Sequence, residues 1–228
     1  MSAKIRAPVP FTRNDGLALQ YVLNVPSRHL DDAEIPLVFC LHGRGADAND
    51  LADLAPMIDG PGGYRFIFPS APKPFEPYPG MTFGYTWFDG LPPERDSIAA
   101  SRNLLLRFID QALGKYPTPN GKVIMSGFSQ GGLMSIDVGF RTQRSLAGIV
   151  VMSGALYEDD PPDFKKRLPV LIVHGTQDEM INVNRARRSR RVLEKHGIEV
   201  EYHEFAMGHF VTPESMAVVA DFIRRCLE

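Results

Sequence analysis

The sequence predicts an α/β fold in which a mostly parallel central sheet carries helices on both faces. Several apolar runs are rich in β-branched residues and lack polar alternation, which is typical of strands that are buried on both sides. Segments with a helical spacing of apolar residues separate several of these runs. No internal repeat or low-complexity linker interrupts the 228 residues, so we expect one domain that covers residues 1–228.

The predicted strands and helices alternate along much of the chain. The strands are residues 17–25, 37–41, 64–68, 122–125, 146–152, 170–173 and 200–205. The helices are residues 48–58, 95–116, 131–141, 183–196 and 213–227. Thr212 is a favoured N-cap residue and Pro213 is favoured at the first helical position. The last helix is therefore expected to begin just after His209.

One long segment does not fit this alternation. Residues 69–93 contain too many prolines and glycines for regular structure and too many aromatic residues for a solvated linker. A long loop of this kind is usually functional. We expect it to cover part of an open cleft.

The overall charge disfavours nucleic acid and anionic membranes as partners. The formal net charge is −2 at pH 7, which supplies no positive field to attract either one. An arginine-rich segment lies within the predicted helix 183–196, but Val183, Ala186 and Leu193 mark its buried side, so most of the arginines are expected to face solvent. These arginines are at positions 185, 187, 188, 190 and 191.

The remaining bulk features favour a cytoplasmic protein. No window approaches the roughly 18 to 20 apolar residues of a membrane span, and the first residues lack an apolar signal region. The only cysteines are Cys40 and Cys226, which are typical of reduced thiols rather than of a disulfide framework. We therefore expect a small-molecule partner and no stable membrane insertion.

The segment Gly127-Phe128-Ser129-Gln130-Gly131 has the GxSxG pattern of a nucleophile elbow. A predicted strand precedes it and a predicted helix follows it, as this turn requires. Small residues two before and two after the serine let the strand and the helix approach each other. The turn exposes Ser129 at the carboxyl edge of the sheet, where the helix N-terminus favours negative charge. Ser129 is thus the predicted nucleophile.

A serine nucleophile needs a base and an acid that orients the base, in the chain order Ser, Asp or Glu, His. Asp178 follows a predicted strand, so it lies where the orienting acid must be. His209 follows the next strand and is the predicted base. His196 ends an exposed basic helix and His203 lies within a strand, where a packed or edge histidine is the more common outcome.

The oxyanion of an acyl-transfer intermediate also needs backbone donors. One predicted donor is the amide of Gln130, directly after the nucleophile. The other is the amide of Arg44, because the glycines of the segment LHGRGAD allow its backbone to approach the site. His42 precedes the serine and is expected to brace this loop rather than to act as a base.

Other chemical motifs are few. The sequence contains no HExxH, paired CxxC, GxGxxG or P-loop pattern and no clustered carboxylate set, so we expect no metal and no cofactor. Most methionines are expected to fill the core. Met81, Met180 and Met207 lie in predicted loops and are candidates to line a substrate pocket.

Five segments, LHGRGAD, TWFD, GFSQGG, HGTQDE and MGH, occur in this order from about residue 37 onward. With them the chain resembles the carboxylesterase, lysophospholipase and acyl-protein thioesterase family of α/β hydrolases. The resemblance implies an α/β-hydrolase fold with Ser129, Asp178 and His209 as its triad, and the amides of Arg44 and Gln130 as its oxyanion hole.

The same resemblance extends to the substrate pocket and the assembly. It implies that the loop with Trp87 and Phe88 lies beside the acyl pocket, that no cofactor takes part, and that a homodimer is an option. The chain departs from the family pattern at Arg44, where leucine is frequent, and at Glu179-Met180 after the aspartate. Both departures would change the shape and charge of the pocket.

The sequence therefore predicts a serine carboxylesterase for short- to medium-chain acyl esters. Residues 154–168 are too few for an inserted helical cap, so no large cap domain is expected and the cleft should be open. A lysophospholipase or an acyl-protein thioesterase is the alternative within the same class. From other classes, a hydrolase-fold binding protein without turnover and a nucleic-acid-binding protein are the remaining alternatives.

Overall fold

The computed structural model describes residues 15–25, 35–58, 63–90 and 92–228. Its strands are β1 (Tyr21–Asn24), β2 (Leu37–Leu41), β3 (Arg65–Pro69), β4 (Lys73–Pro74), β5 (Tyr85–Thr86), β6 (Val123–Phe128), β7 (Gly148–Met152), β8 (Val170–Gly175) and β9 (Val200–Phe205). Its helices are α1 (Ala55–Ile58), α2 (Arg95–Lys115), α3 (Gln130–Arg141), α4 (Val183–Lys195) and α5 (Pro213–Leu227).

Seven of these strands form one sheet in the order β1-β3-β2-β6-β7-β8-β9. Strand β1 is antiparallel to β3, whereas each other neighbouring pair is parallel. The register pairs Leu41 with Gly127 and Phe128 with Met152, so the carboxyl ends of β2, β6 and β7 meet at one edge. The sheet confirms the predicted mostly parallel α/β architecture.

Both faces of the sheet are buried, which explains the continuous apolar runs. In β2, Leu37, Phe39 and Leu41 pack into a core that includes residues of α2, α3 and α4. Val38 and Cys40, on the opposite face, pack into a second core with residues of α1 and α5. Burial of apolar area on both faces stabilises the sheet without polar alternation.

The predicted helix 48–58 is wrong in its extent. The structure has a 3-10 turn at Ala52–Leu54 followed by the short helix α1. Pro56 explains the difference, because it has no backbone N–H to donate to the carbonyl of the preceding turn and its ring clashes with that carbonyl.

The predicted loop 69–93 contains more regular structure than expected. Strands β4 and β5 pair antiparallel within it. The hairpin continues beyond them, because the amide of Phe75 donates to Gly84 and the amide of Phe83 donates to Phe75, each at 2.8 Å. Short two-stranded pairing of this kind is compatible with a proline- and glycine-rich sequence because few ladder hydrogen bonds are required.

The start of α5 is as predicted. Pro213 is its first residue, and the side chain of Thr212 accepts a hydrogen bond from the amide of Ser215 at 3.2 Å. The Ser215 hydroxyl in turn accepts from the Thr212 amide at 2.9 Å, which completes a capping box. This cap fixes the chain just after His209. None of the helices in the described ranges is both long and apolar enough to cross a membrane.

Candidate active site

Ser129 lies at the sharp turn between β6 and α3. Its φ is 56°, a left-handed conformation that is unfavourable for a residue with a side chain. The amide of Ser129 donates to the carbonyl of Met152 at 2.9 Å, which holds the turn against β7. The helix approaches the sheet closely here, since a Cβ atom on Gly131 would lie 2.0 Å from the carbonyl oxygen of Leu41. The turn has the strained geometry that exposes a serine at a sheet edge.

The side chains of His209 and Asp178 continue a series of hydrogen bonds that begins at the Ser129 hydroxyl. His209 Nε2 is 2.9 Å from Ser129 Oγ, and His209 Nδ1 is 2.7 Å from Asp178 Oδ2. A carboxylate only accepts, so Nδ1 carries the proton and Nε2 is free to accept the serine proton. The His209 ring packs on Phe128 with 4.9 Å between the ring centroids. The three sequence-predicted residues therefore form one hydrogen-bonded chain.

The carboxylate of Asp178 is fixed by its own loop. Its Oδ1 accepts hydrogen bonds from the amides of Met180 and Ile181, at 2.9 Å and 2.8 Å. Its side chain is fully buried, whereas the His209 side chain is 19% exposed. These two amides orient the carboxylate so that Oδ2 faces His209. Charge-assisted bonds of this kind also compensate the burial of the carboxylate.

A second histidine, His174, lies behind this carboxylate. Its Nε2 is 2.7 Å from the carbonyl oxygen of Ile181, so it carries a proton and donates to that carbonyl. The same nitrogen is 3.4 Å from Asp178 Oδ2. Burial lowers the pKa of His174, although the Ile181 carbonyl and Asp178 oppose that shift. A neutral His174 thus anchors the loop that carries the acid.

Two backbone amides converge beside the nucleophile. Arg44 follows β2 and Gln130 begins α3, and both line the same cleft as Ser129 and His209. Neither amide has an acceptor within the described parts of the chain. The backbone also passes close to the nucleophile, because a Cβ atom on Gly43 would lie 3.3 Å from Ser129 Cβ. Free amides of this kind are suited to stabilising a developing oxyanion.

Buried side chains hold the loop that carries Arg44. His42 Nε2 accepts from the Ala71 amide at 2.9 Å, so its Nδ1 carries the proton and donates to the Gly43 carbonyl at 2.6 Å. Burial lowers the pKa of His42, which favours this neutral form. The indole of Trp87 donates to the His42 carbonyl at 2.8 Å. His42 therefore braces the loop, in agreement with the prediction.

The side chain of Gln130 ties the second amide to the loop around Trp87. Its Oε1 accepts from the Trp87 amide and from the Thr86 hydroxyl, each at 3.0 Å. Its Nε2 donates to the Phe88 carbonyl at 3.0 Å. The two proposed oxyanion donors are thus connected through Trp87, which bonds to both loops.

The cleft in front of Ser129 has a volume of about 200 Å³ and is mainly apolar. Apolar walls come from Phe88, Leu133, Ala155, Met180 and Ile181. The segment between β7 and β8 carries no helix, so no cap covers the cleft from that side. Arg44 and Arg185 are also among its lining residues.

Three of the predicted substrate contacts require correction. Trp87 is fully buried and Met207 is 1% exposed, so both are core residues whose side chains do not line the cleft. Met81 is exposed on the 69–93 segment but is not among the residues that line the cleft. Phe88 and Met180 do line it. The sequence alone does not show which of these five residues line the cleft, because the burial of a loop residue depends on how the loop packs against the sheet.

Arg185 is the residue that sequence reasoning missed. It is exposed, as expected for most arginines of this helix, but it also lies in the first turn of α4 and lines the cleft, which the sequence analysis does not predict. The sequence does contain a feature that predicts this position, because α4 follows the loop that carries the predicted acid Asp178. Residues in its first turn therefore lie near the active edge of the sheet.

Within the described residues, no group of three or more His, Cys, Asp or Glu side chains is placed to hold a metal ion.

The class of the protein is α/β hydrolase. It is defined by the order of the strands in the sheet and by the strand-turn-helix in which Ser129 has a positive φ. Residues 28–227 match the phospholipase/carboxylesterase family model. The chain belongs to this family and is an ester hydrolase.

Individual relatives agree with this assignment. The chain is 30% identical over 183 residues to acyl-protein thioesterase 1 of Gibberella zeae, covering 72% of this chain and 77% of that one. It is 25% identical over 178 residues to carboxylesterase SOBER1 of Arabidopsis thaliana, again covering 72% and 77%. The crystal structure of esterase PE8 superposes with a TM-score of 0.77 at 26% identity, covering 86% of this chain and 94% of that chain.

Proposed function

We propose that the chain is a serine carboxylesterase that hydrolyses short- to medium-chain acyl esters. The observation that carries the proposal is the hydrogen-bonded chain from Ser129 Oγ through His209 to Asp178, with distances of 2.9 Å and 2.7 Å. The free amides of Arg44 and Gln130 lie in the same cleft. Nucleophile, base, orienting acid and oxyanion donors are therefore assigned to residues that are already close together.

Acylation begins when His209 Nε2 takes the Ser129 proton while Oγ attacks the acyl carbonyl carbon. The carbonyl electron pair moves onto oxygen, and the amides of Arg44 and Gln130 donate hydrogen bonds to the resulting oxyanion. The oxyanion then re-forms the carbonyl and expels the alcohol oxygen. His209 returns its proton to that oxygen, which leaves an acyl ester on Ser129 and a free alcohol.

Deacylation repeats these steps with water. His209 takes a proton from water, the hydroxide oxygen attacks the acyl carbon, and the same two amides stabilise the second oxyanion. Collapse breaks the bond to Ser129 Oγ, which regains the proton from His209. The product is a carboxylic acid. Asp178 keeps the imidazole in the correct tautomer and stabilises the transient imidazolium throughout.

The size of the cleft supports the preference for short acyl groups. Its volume of about 200 Å³ is below the roughly 300 to 1,000 Å³ of pockets for drug-sized ligands. The walls near Leu133 and Ala155 are apolar and fit a short alkyl chain. Long acyl chains would leave much of their length in water. The expected rate optimum is therefore at short to medium chain length.

A thioesterase is the second candidate, and the relative named acyl-protein thioesterase 1 at 30% identity supports it. The same triad and oxyanion donors would act on a thioester carbonyl, because only the leaving atom differs. Comparing butyryl thioesters with butyryl oxyesters of similar leaving-group pKa separates the two. The carboxylesterase proposal requires a higher kcat/KM on the oxyester.

A p-nitrophenyl ester series from acetate to palmitate tests the proposed function. Wild type should be fastest on short to medium chains, and Ser129→Ala should reduce kcat by about 10⁴-fold or more. Ser145→Ala is a matched control, since Ser145 is exposed and does not line the cleft. Equal rates for wild type and Ser129→Ala would show that Ser129 is not the nucleophile. Ligand uptake without turnover would instead indicate a binding protein.

We also propose a cytoplasmic location, which is supported by Cys40 and Cys226 being free thiols. Fractionation of cells that produce the tagged chain tests this location. The homodimer stays a prediction that sedimentation equilibrium can test.

A further inference from the structure

We propose that the cleft selects esters that carry an anionic group, a carboxylate or a phosphate, and that Arg44 and Arg185 bind this group. The inference rests on the proposed function, because it concerns the specificity of the Ser129 site. It adds a substrate class that the triad and the oxyanion donors do not determine.

The two arginines come from different elements and meet at one cleft. Arg44 lies on the loop after β2, and Arg185 lies in the first turn of α4. Both line the cavity that Ser129 and His209 line. The guanidinium of Arg44 lies against Phe75, in a neighbouring pocket that shares Arg44 and Phe88 with this cleft, so a side chain that extends from there can border both. Convergence from separate elements is what a binding site for one charged group requires.

Neither guanidinium has a carboxylate partner within the described residues. Three other arginines of α4 do have one, because Arg187 pairs with Glu204, Arg188 with Glu158 and Arg190 with Glu194. The Arg44 guanidinium lies 5.4 Å from the centroid of the Phe75 ring, a contact that orients the side chain without neutralising it. The charge of both groups thus remains available to a ligand.

Among the described residues, the lining of the cleft includes no aspartate or glutamate, whereas Glu76 and Asp89 line the neighbouring pocket that shares Arg44 and Phe88. The carboxylate of Asp178 is nearby, but it is fully buried behind His209 and engaged by that ring and by two amides. The cavity therefore has apolar walls, and two arginines without a carboxylate partner are among the residues that line it. A neutral alkyl ester would use the walls and leave both guanidinium groups unused.

Arg185 also stands where a cation is unfavourable for the helix. It is the third residue of α4, and the first turn of this helix contains no acidic residue. The partial positive charge of a helix N-terminus disfavours a neighbouring cation. A residue that opposes local helix stability and forms no ion pair is consistent with selection for binding.

The guanidinium group fits carboxylate and phosphate oxygens through paired N–H donors. In a cavity of about 200 Å³, the anion must lie only a few bonds from the scissile carbonyl. It could be attached to the acyl part or to the leaving alcohol. An ester with the anion on its acyl part and an ester with the anion on its alcohol part both offer the arginines a carboxylate or phosphate. The experiment distinguishes these two kinds of ester.

The experiment uses two pairs of esters. For the acyl side, p-nitrophenyl hemiglutarate is compared with neutral p-nitrophenyl butyrate. For the alcohol side, 4-butyryloxybenzoate is compared with its neutral methyl ester. The quantity measured is the ratio of kcat/KM for the anionic ester to kcat/KM for its neutral partner, which cancels general effects on the reacting groups.

The ratio is measured for wild type, Arg44→Gln, Arg185→Gln and the double variant. We expect each single substitution to lower it about tenfold for at least one pair of esters, and the affected pair identifies the side that bears the anion. Arg191→Gln is the matched control, because Arg191 is exposed on the same helix and does not line the cleft. A ratio that both cleft substitutions leave unchanged for both pairs overturns the inference.

A binding measurement separates this inference from the proposed function. Monomethyl glutarate, for the acyl side, and 4-butyryloxybenzoate, for the alcohol side, are titrated separately into Ser129→Ala by calorimetry, with and without the two arginine substitutions. Binding that depends on the arginines supports the anion site even if no ester is hydrolysed. Failure of both compounds to bind Ser129→Ala with both arginines intact overturns the site, even if neutral esters are hydrolysed by the wild type.

Discussion

A Cβ atom on Gly127 would lie 2.3 Å from the carbonyl carbon of Gly131. The end of β6 and the first turn of α3 are therefore in direct backbone contact on either side of Ser129. This contact places the strained serine between the two elements and makes the helix N-terminus part of the site. The spacing of glycines in the sequence is a direct consequence of this packing.

Gly131→Ala is expected to destabilise the protein by about 3 kcal/mol or more, because the clashing atoms are backbone and cannot move away independently. Urea unfolding measures the change, and hydrolysis of p-nitrophenyl butyrate should fall with it. Gly114→Ala is the control. A Cβ atom at this exposed position of α2 meets nothing within 4 Å, so this variant should gain about 0.5 to 1 kcal/mol.

A stable Gly131→Ala protein with full activity would show that the elbow is looser than these distances indicate. A loss of stability in Gly114→Ala would show that α2 is not regular at that position. The two results are independent, because the two glycines lie in different helices.

The elbow and the order of the triad could be predicted because both depend on local sequence. A strand, a Gly-x-Ser-x-Gly turn and a helix determine where Ser129 points. The cap of α5 likewise fixed where His209 must lie. The long-range distances between Ser129, Asp178 and His209 follow from parallel strands that end at one edge, so the fold class was enough to bring them together.

Gln130→Ala is expected to destabilise the protein by about 2 kcal/mol, because it leaves the buried Trp87 amide without its acceptor, whereas the Phe88 carbonyl keeps the Thr86 hydroxyl as a donor. The backbone amide of residue 130 remains, so any loss of kcat reports on the position of the neighbouring loop. Chemical unfolding and steady-state kinetics on one short ester measure both effects.

The control for this variant is Gln143→Ala, since Gln143 is exposed between α3 and β7. Its unfolding free energy should stay within about 0.5 kcal/mol of the wild type. If Gln130→Ala is equally harmless, the side chain does not hold the Trp87 loop.

Acidification should destabilise the protein through its buried histidines. Burial lowers the pKa of His174 and of His42 below the value of 6.5 that an unperturbed histidine has. Below about pH 6.5 the unfolded chain binds protons at these sites that the folded chain refuses. Stability is therefore complete above that pH and falls by up to about 1.4 kcal/mol per pH unit for each histidine.

Urea unfolding between pH 7 and pH 5 measures this slope, in a range where most carboxylates of the unfolded chain are still charged. His174→Gln keeps a donor for the Ile181 carbonyl and removes the titrating ring. Its stability should fall less steeply with acidification than that of the wild type. An unchanged slope would mean that His174 is protonated in the folded chain.

A nearly buried ion-pair network should contribute to stability. Arg102 donates to Asp137 at 2.6 Å and to Asp160 at 2.8 Å, and the Asp137 side chain is only 3% exposed. Arg102→Met leaves that carboxylate with Arg141 alone and should cost about 3 kcal/mol. The free energy of unfolding from urea denaturation checks this value.

The matched control is Arg144→Met. Arg144 pairs with Asp110 at 2.7 Å, but both side chains are about half exposed, so the expected cost is below about 1 kcal/mol. Similar losses for both variants would contradict a special role for burial in the Arg102 network.

The residues that line the cleft could not be predicted from the sequence, because their positions depend on how the loops pack onto the sheet. Trp87 was expected beside the substrate, yet its indole reaches the His42 carbonyl and its ring is buried. Arg185 is exposed, as expected for most arginines of α4, but it also lines the cleft, because α4 begins a few residues after Asp178. Periodicity identifies the buried side of a helix but not which exposed residue borders a cavity.

Acyl-enzyme trapping tests whether Ser129 is the nucleophile. Wild-type protein is mixed with p-nitrophenyl butyrate, quenched in acid within the first turnover, digested and analysed by mass spectrometry. We expect one butyryl group per chain on the peptide that contains Ser129, and none in Ser129→Ala. Turnover with no acyl group on Ser129, or with the group on another residue, would contradict it.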